Sequence, residues 1–199
     1  MGYVFVGLGN PGQEYDGTRH NTGRSMLEAF ASQYDFTEWK VQKKLNALES
    51  KGVVEKESIT LLLPQTFMNK SGASVAPVVT SVKKAEKLVV VHDDLDLPLG
   101  RIKVSFNKSS GGHRGVESIM RAIKTEAFVR IRVGISKAGK KGSVKKPIGE
   151  EAVGKYILEM FPKKEQEELK TVSKTVVAAL TMIAREGVEA AMGEFNQQK

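Results

Sequence analysis

The chain has 199 residues, of which 40% are hydrophobic, and it carries a formal charge of +8. This length predicts a single domain, residues 1–199, and the absence of cysteine excludes disulfides, thiolate metal sites and a cysteine nucleophile. No apolar run approaches the about 20 residues of a membrane span and no signal-peptide pattern opens the chain, so we expect a cytoplasmic protein.

The first half of the chain predicts a strand, a polar turn and a helix, and then further strands. Residues 4–8 are apolar and are followed by Gly9, which is typical of a buried strand that leads into a turn. Apolar positions then recur at helical spacing from about Asn21. The remaining elements predicted here are strands at 53–54 and 59–63 and a helix at 71–82.

The second half continues the alternation and ends in helices. The predicted elements are a strand at 88–91 that runs into His92, a strand at 102–106, a helix at 115–123, a strand at 129–135, and helices at 150–158, 163–185 and 188–195. Alternating strands and helices predict an α/β fold in which helices surround a twisted mixed sheet. Ligands of such sheets gather at the carboxyl ends of strands, where the polar segments of this chain are expected.

Lysines are concentrated between the last predicted strand and the helices that follow it. The stretch ends at Pro147, and its lysines are Lys137, Lys140, Lys141, Lys145 and Lys146. Such a run is typical either of a solvated loop or of a surface that contacts phosphates, since lysines that neutralise nucleic-acid phosphates release counterions. The run alone does not separate these two interpretations.

The turn after the first predicted strand formally matches a dinucleotide-binding motif, Gly7-Leu8-Gly9-Asn10-Pro11-Gly12. That motif requires a helix to begin at its second glycine, so that the helix N-terminus faces the pyrophosphate. Here Pro11, Gly12 and Gly17 interrupt the segment, so the context argues against a dinucleotide site. A turn that binds nothing is the stronger alternative, but several hydrogen-bonding side chains follow it: Tyr15, Thr18, Arg19, His20 and Asn21.

All three histidines lie in polar segments. His20 follows the first turn, His92 opens the segment His92-Asp93-Asp94, and His113 lies in a loop that contains Gly and Ser. Histidine is the side chain whose unperturbed pKa lies nearest neutrality. Imidazoles beside carboxylates and amides are the groups that ester hydrolysis needs, and the sequence therefore indicates a small enzyme.

The segment from His92 to Asp96 has three interpretations. With His20 or His113 it can form a divalent-metal site. Alternatively, one carboxylate accepts the N–H of an imidazole, fixes its tautomer, and stabilises the imidazolium that forms when the ring takes a proton from water. The third interpretation is structural, with Asp94 or Asp96 capping the turn that follows.

Two further polar segments lie between a predicted strand and a predicted helix. Asn69 precedes a helix, where capping of the helix is a commoner role than contact with a substrate. Met68 beside it fills either a core or a groove that accepts varied side chains. In the loop 107–115, the backbone amides with Lys108 and Arg114 favour contact with a phosphate over a plain flexible linker.

Together these segments resemble the bacterial-type peptidyl-tRNA hydrolase family, from residue 4 to about residue 161. Six motifs occur in the family order, at Gly7–Gly12, Tyr15–Gly23, Pro64–Gly72, His92–Gly100, Gly111–Gly115 and Arg130–Ile135. The resemblance implies one domain of the phosphorylase/hydrolase-like fold that acts as a monomer without metal or other cofactor. It also implies hydrolysis of the ester between peptide and tRNA ribose, which recycles tRNA from stalled or aborted translation.

The resemblance implies roles for residues of this chain. His20 would be the general base for water, Asp93 would orient it, and Asn10 would bind the peptidyl group in the catalytic site. The residues assigned to substrate binding are Tyr15, Phe67, Met68, Asn69, His113 and Arg114, and those assigned to tRNA phosphates are Lys103, Lys108 and Arg132.

The chain departs from the family pattern near its third histidine. Arg114 stands where the family usually has asparagine, the loop 107–110 replaces a run of glycines, and Ser105 stands where a basic side chain often binds a tRNA phosphate. We expect Arg114 and Lys108, with the lysines of residues 137–146, to supply part of that phosphate contact.

Two other functions stay open on the sequence alone. Plant organelle splicing factors share this fold and much of the motif set, so a non-catalytic RNA-binding protein is the principal alternative. A metal-dependent hydrolase built on His92, Asp93 and Asp94 is the other. The metal-dependent enzyme would lose its activity with a chelator, whereas the His20 mechanism would not.

Overall fold

The computed structural model describes residues 2–139 and 143–197. Within these residues eight strands are hydrogen-bonded side by side in the order β2-β3-β4-β1-β5-β7-β6, with β8 against β7. The strands are β1 Tyr3–Gly7, β2 Lys40–Gln42, β3 Ala47–Val54, β4 Glu57–Pro64, β5 Leu88–Pro98, β6 Ile102–Phe106, β7 Val129–Ala138 and β8 Val144–Lys145. Lys140 and Lys141 of the predicted basic stretch lie outside the described residues.

Helices connect the strands and form the last part of the described chain. They are α1 Thr22–Gln33, α2 Gly72–Val75, α3 Val82–Ala85, α4 Arg114–Ile123, α5 Glu150–Ile157, α6 Lys163–Glu186 and α7 Val188–Phe195. Single turns of 3-10 helix occur at Gln13–Tyr15, Arg19–Asn21, Lys43–Leu45 and Met68–Lys70. None of the helices described is both long enough and apolar enough to cross a membrane.

The sheet is mixed, as predicted. β1 pairs in parallel with β4 and with β5, and β5 pairs in parallel with β7, whereas the outer strands pair antiparallel. Four adjacent strands therefore point the same way, and their carboxyl ends meet at one edge of the sheet. The segments that follow β1 and β4 and the polar end of β5 are brought together there.

Helices cover both faces of the sheet because buried side chains alternate along the strands. Phe5 of β1 packs with the apolar faces of α1, α6 and α7. Val6, the next residue, faces the opposite side and packs with residues of α4 such as Val116 and Ile119. This period of two is what a strand buried on both faces requires, and it confirms the predicted α/β arrangement of a sheet between helices.

The structure corrects two predicted elements. The single helix predicted at 71–82 is instead two short helices, α2 and α3, because Pro77 between them lacks an N–H group to continue the helix. The strand predicted at 88–91 continues to Pro98, because its polar end pairs with β7. His92 and the aspartates after it are therefore held on a strand rather than on a loop.

Gly23 lies in the first turn of α1, where this helix packs directly against the sheet. A Cβ atom on Gly23 would lie 2.2 Å from the carbonyl oxygen of Val91 in β5 and 2.9 Å from the backbone nitrogen of Leu8. The missing side chain thus allows the start of α1, and the turn before it, to contact the strands.

We predict that Gly23→Ala lowers the free energy of unfolding by roughly 1–3 kcal/mol, because the backbone must move to accept the methyl group. Gly193→Ala is the matched control, since Gly193 lies within α7 and no atom lies within 4 Å of its Cβ position. There alanine should raise stability by about 0.5–1 kcal/mol through helix propensity. Urea denaturation measures both, and a Gly23 variant as stable as the native protein would contradict the packing argument.

Candidate active site

A cleft of about 870 Å³ lies at the edge of the sheet where the parallel strands end. Asn10 and His20, which follow β1, line it together with the Phe67–Asn69 segment after β4 and the end of β5 from Asp93. The loop before α4 and the inner side of α5 complete its walls. The cleft therefore gathers side chains that are far apart in the sequence.

Asp93 is buried at the cleft between two histidines. Its Oδ1 lies 3.0 Å from Nδ1 of His20 and 3.0 Å from Nε2 of His113, and its Oδ2 lies 3.1 Å from the same Nδ1 of His20. A carboxylate only accepts hydrogen bonds, so Nδ1 of His20 carries a proton and donates a hydrogen bond to Asp93. The remaining ring nitrogen of His20, Nε2, then has a lone pair for a proton from the cleft.

The charge of Asp93 is fixed by the same contacts. Burial alone would raise the pKa of this carboxyl group, but the attraction of His20 and His113, with their hydrogen bonds, outweighs burial and lowers the pKa well below its ordinary range. Asp93 is therefore a carboxylate throughout the neutral range, and it can stabilise the charge that His20 acquires when it takes a proton.

His113 is held in one tautomer by the helix that it begins. Its Nδ1 accepts the backbone N–H groups of Gly115 at 3.2 Å and Val116 at 3.3 Å, which caps the N-terminus of α4. Nε2 must then carry the ring proton and donate a hydrogen bond to Asp93. The family resemblance implies a substrate-binding role for His113, and the structure adds this contact with Asp93.

The tautomers bear on the metal interpretation. One ring nitrogen of His20, one of His113 and a carboxylate oxygen of Asp93 lie within 4.8 Å of one another, as the ligands of a metal ion do. A metal would need a lone pair on Nε2 of His113, and the two capping hydrogen bonds to Nδ1 of His113 disfavour that tautomer. The hydrogen-bonded arrangement satisfies the same groups without an ion.

The other members of the predicted metal set point elsewhere. Nδ1 of His92 lies 2.7 Å from the carbonyl oxygen of Asp93, Asp94 pairs with Arg132 at 2.5 Å, and Asp96 pairs with Lys146. The Oδ1 atom of Asp94 also accepts the backbone N–H of Asp96, which is the turn-capping role predicted for one of these aspartates. His92, Asp94 and Asp96 therefore do not converge on one point.

Asn10 is oriented by two neighbours. Its side-chain oxygen accepts the backbone N–H of Met68 at 2.8 Å, so its Nδ2 group is left as a donor beside the cleft. Asn21 exchanges two hydrogen bonds with the backbone of Asn10, at 2.8 and 2.9 Å. Asn21 is one of the polar residues that follow the turn in the sequence, but no sequence pattern indicates this role.

The predicted substrate-binding residues after β4 line the cleft in different ways. Met68 is buried in the cleft wall, whereas Phe67 and Asn69 are exposed. Asn69 does not cap a helix as the structural alternative expected, since α2 has no side-chain cap. Tyr15 is not among the lining residues and packs edge-on against Phe67, with ring centroids 6.5 Å apart.

Of the predicted phosphate-binding residues that the structure describes, Arg114 and Lys146 line the cleft, whereas Lys103, Lys108 and Arg132 lie outside it. Lys103 and Arg132 are directly opposite each other on β6 and β7, and Lys108 follows β6. Arg114, at the start of α4, forms an ion pair with Glu150 at the start of α5, on the far side of the cleft. Glu150 and the cleft-lining residues of α5 have no sequence pattern that would have marked them as part of the site.

Comparison with known proteins assigns the chain to a family. The family model described as peptidyl-tRNA hydrolase matches residues 4–199. The chain belongs to the peptidyl-tRNA hydrolase family. Peptidyl-tRNA hydrolases of Carboxydothermus hydrogenoformans and Citrifermentans bemidjiense are 38% and 39% identical to it, and the matches cover 98% and 97% of each chain respectively.

Solved structures of peptidyl-tRNA hydrolases have the same fold. The enzyme from Acinetobacter baumannii superposes with a TM-score of 0.87 at 32% identity, covering 100% of this chain and 96% of that one. A complex of peptidyl-tRNA hydrolase with N-propanol gives a TM-score of 0.86 at 33% identity with the same coverage. These comparisons confirm the family and the fold predicted from the six motifs.

Beside the cleft of this peptidyl-tRNA hydrolase family member, His92 is buried, and its Nε2 makes no hydrogen bond among the described residues. Burial, followed by the proximity of the His113 ring and of the Arg130 guanidinium, holds the pKa of the ring well below its ordinary value. The folded protein therefore keeps His92 neutral, whereas in the unfolded chain the same ring takes up a proton near pH 6.5.

We predict that His92 makes the folded protein less stable as the pH falls below about 6.5, by up to about 1.4 kcal/mol per pH unit, because only the unfolded state binds this proton. His92→Asn keeps a donor for the Asp93 carbonyl but cannot titrate, so its stability should vary less between about pH 7 and 5. Denaturation midpoints measured across this range compare the two proteins. Equal slopes would show that His92 is protonated in the fold.

Proposed function

We propose that the protein is a carboxylic ester hydrolase that cleaves the bond between the peptide and the tRNA ribose of peptidyl-tRNA, and so recycles tRNA from stalled or aborted translation. The observation that carries this proposal is the 3.0 Å contact between His20 and Asp93 at a cleft that Asn10 also lines. The contact leaves Nε2 of His20 as the base, and the Nδ2 group of Asn10 is a donor beside it.

The reaction needs one water molecule. Nε2 of His20 takes a proton from that water as its oxygen bonds to the ester carbonyl carbon, and Asp93 stabilises the imidazolium. The carbonyl oxygen becomes an oxyanion, which amide N–H groups such as those of Asn10 stabilise. When the intermediate collapses, the bond to the ribose oxygen breaks and His20 returns the proton to that oxygen.

Recognition of the peptide follows from the uncharged polar groups of the cleft. The exposed side chain of Asn69 is available to pair with peptide amides, as is the Nδ2 group of Asn10. Phe67, with Tyr15 packed against it, and Met68 supply apolar contacts. None of these contacts depends on one particular peptide side chain, which suits a substrate of variable sequence.

The acidic residues of the cleft explain why a free amino group would be disfavoured. Asp93 faces two histidines, and Asp94, Asp96 and Glu150 are each paired with a basic side chain. The ammonium group of an aminoacyl-tRNA without an N-acyl group would therefore find no unpaired carboxylate among these residues. An N-acylated substrate has no such charge and loses nothing by entering.

The tRNA is expected to bind beside the cleft through basic side chains. Lys103, Lys108 and Arg132 lie on or just after β6 and β7, and Arg132 adjoins the cleft through its pair with Asp94. Arg114 is at the cleft itself. Contacts of these side chains with phosphates would make binding sensitive to salt.

We further propose that the chain acts as one domain and as a monomer, without a cofactor, in the cytoplasm. Asn10, His20, Asp93 and His113 all come from a single chain, so the site needs no second copy. Peptidyl-tRNA arises wherever ribosomes translate, which places its hydrolase in the same compartment.

The proposal predicts cleavage of N-acetylated aminoacyl-tRNA and little cleavage of the unacetylated form. His20→Ala should lower kcat by about 10²- to 10⁴-fold, because the base is lost while the fold is kept. Quantifying deacylated tRNA at fixed times measures this, with thermal denaturation of the variant as a check of folding.

A chelator arm and a binding arm separate the alternatives. EDTA should leave the rate unchanged, and loss of activity with EDTA would favour the metal-dependent hydrolase. Tight binding of tRNA without any cleavage would favour the non-catalytic RNA-binding protein. Cleavage that persists in His20→Ala would show that another group is the base.

Arg114 gives a second test, because Glu150 competes with tRNA for it. We expect Glu150→Gln to strengthen tRNA binding at low salt by about two- to fivefold, because an exposed ion pair is weak and its removal frees Arg114 at little cost. Arg114→Glu should weaken binding and flatten its salt dependence. Both are measured as Kd for deacylated tRNA across a salt series.

Glu151→Gln is the matched control, since Glu151 is the next residue of α5 and forms no ion pair among the described residues. It removes the same charge from the same helix, so any general electrostatic effect appears in both variants. Equal Kd values for the Glu150 and Glu151 variants would mean that Glu150 does not compete with tRNA for Arg114, and an unchanged Kd in Arg114→Glu would mean that Arg114 does not contact the tRNA.

A further inference from the structure

Arg19 precedes the general base in the chain, and its side chain is buried on the other side of the turn. One guanidinium nitrogen donates to the carbonyl oxygen of Ile135 on β7 at 3.2 Å. The guanidinium carbon lies 4.5 Å from the ring centre of Tyr156 on α5 and 4.6 Å from that of Phe161. These four residues, with Glu165, form what we call the Arg19 junction.

Glu165 completes the junction from α6. Its carboxylate lies 2.7 Å from the guanidinium, although the two groups are not aligned for a hydrogen bond. The hydroxyl group of Tyr156 donates to the same Ile135 carbonyl at 2.8 Å. Burial raises the pKa of Tyr156, so its phenol stays protonated and can donate this hydrogen bond. A buried guanidinium needs such partners, and its flat shape suits the two rings better than an ammonium group would.

The backbone around Arg19 is joined to the same part of the chain. The N–H of Arg19 donates to the carbonyl oxygen of Glu159 at 3.1 Å, and Thr18 forms an isolated antiparallel bridge with Met160. The carbonyl oxygen of Arg19 accepts the hydroxyl of Thr22 at 2.7 Å. The single turn Arg19–Asn21 is thus held from outside by the segment that joins α5 to α6.

This turn determines where the ring of His20 lies. Among the described residues, Asp93 is the hydrogen-bond partner of that ring, and the ring contacts His113 at a centroid distance of 5.1 Å. A small rotation of the turn would move Nδ1 of His20 away from Asp93. The position of the turn is therefore as important as the identity of the base.

The junction also holds one wall of the cleft. Val153, Gly154 and Ile157 of α5 line the cleft, yet α5 has no fully buried residue that would fix it by packing. Tyr156 connects this helix to Arg19 and β7. The same side chain, Arg19, therefore connects the cleft wall to the turn that carries the base.

We propose that Arg19 is a positioning residue for the hydrolase reaction, which couples the α5 wall of the cleft to the orientation of His20. The expected change in kcat rests on the proposed function. The geometric consequence of the proposal, the contact of His20 with Asp93, can be measured without substrate.

The test compares Arg19→Lys with the native chain. Lysine keeps the charge but cannot contact both rings and the Ile135 carbonyl together. We expect kcat for N-acetylated aminoacyl-tRNA to fall at least about tenfold, because a small misplacement of a base has large effects, while KM changes less. With three histidines in the chain, NMR of the imidazole groups can follow each ring, and the Nδ1–H signal of His20 should shift or broaden.

Two further sets of variants keep the test decisive. Val176→Ala removes a buried contact of α6 away from the cleft, so it should lower thermal stability without changing kcat or the His20 signal. If Arg19→Lys fails to fold, Tyr156→Leu removes one ring of the junction, and Tyr156→Phe restores that ring without the hydroxyl. The leucine variant should lose activity and perturb His20, and phenylalanine should recover most of both.

Native kcat and a native His20 signal in folded Arg19→Lys or Tyr156→Leu would overturn the proposal. An equal loss of kcat in Val176→Ala would do the same, because general loss of stability would then be the cause. If the native chain itself cleaves no substrate, the proposed function fails, and the NMR comparison alone decides whether the junction positions His20.

Discussion

Asp93 carries a negative charge at a position almost closed to water, with only 3% of the residue exposed. An isolated charge there would be costly, and the ring N–H groups of His20 and His113 remove that cost by donating to it. The three side chains come from β5, from the turn before α1 and from the start of α4. The site therefore exists only when the sheet and helices on both of its faces are assembled.

The hydrogen bonds of this cluster leave each group one role. His113 is committed on both nitrogens, to Asp93 and to the N-terminus of α4. Among the described residues His20 is hydrogen-bonded through one nitrogen only, so in this cluster it is the ring with a nitrogen left to exchange a proton. Asn10 is similar, since its oxygen is used by Met68 and its Nδ2 group remains. The free base and the free amide donor follow from what the neighbours already occupy.

Sequence patterns predicted the buried strands well, because apolar runs such as residues 88–91 leave few alternatives. The pairing of His20 with Asp93 came only from the resemblance to the family, since the two residues are 73 positions apart and no spacing rule connects them. Parallel pairing of β1 with β5 brings them together. Asp94 is drawn away from the cluster by Arg132 on another strand, and a sequence pattern does not show such a partner. The part that α5 plays in the cleft wall could not be predicted either, because this helix has no buried residues whose spacing would mark a packed face.

The three residues Arg19, His20 and Asn21 show why one short turn is so constrained. A 3-10 turn has three residues per turn, so successive side chains leave it in three directions. Arg19 contacts β7 and the chain from α5 to α6, His20 contacts Asp93 on β5, and Asn21 contacts the backbone of Asn10 after β1. All three are buried, so none of these contacts can shift without affecting the other two. His20 is the general base and Asn21 holds the amide donor Asn10, so neighbouring residues of a single turn position the base and the donor relative to each other. The third residue of the turn, Arg19, connects both of them to the C-terminal helices.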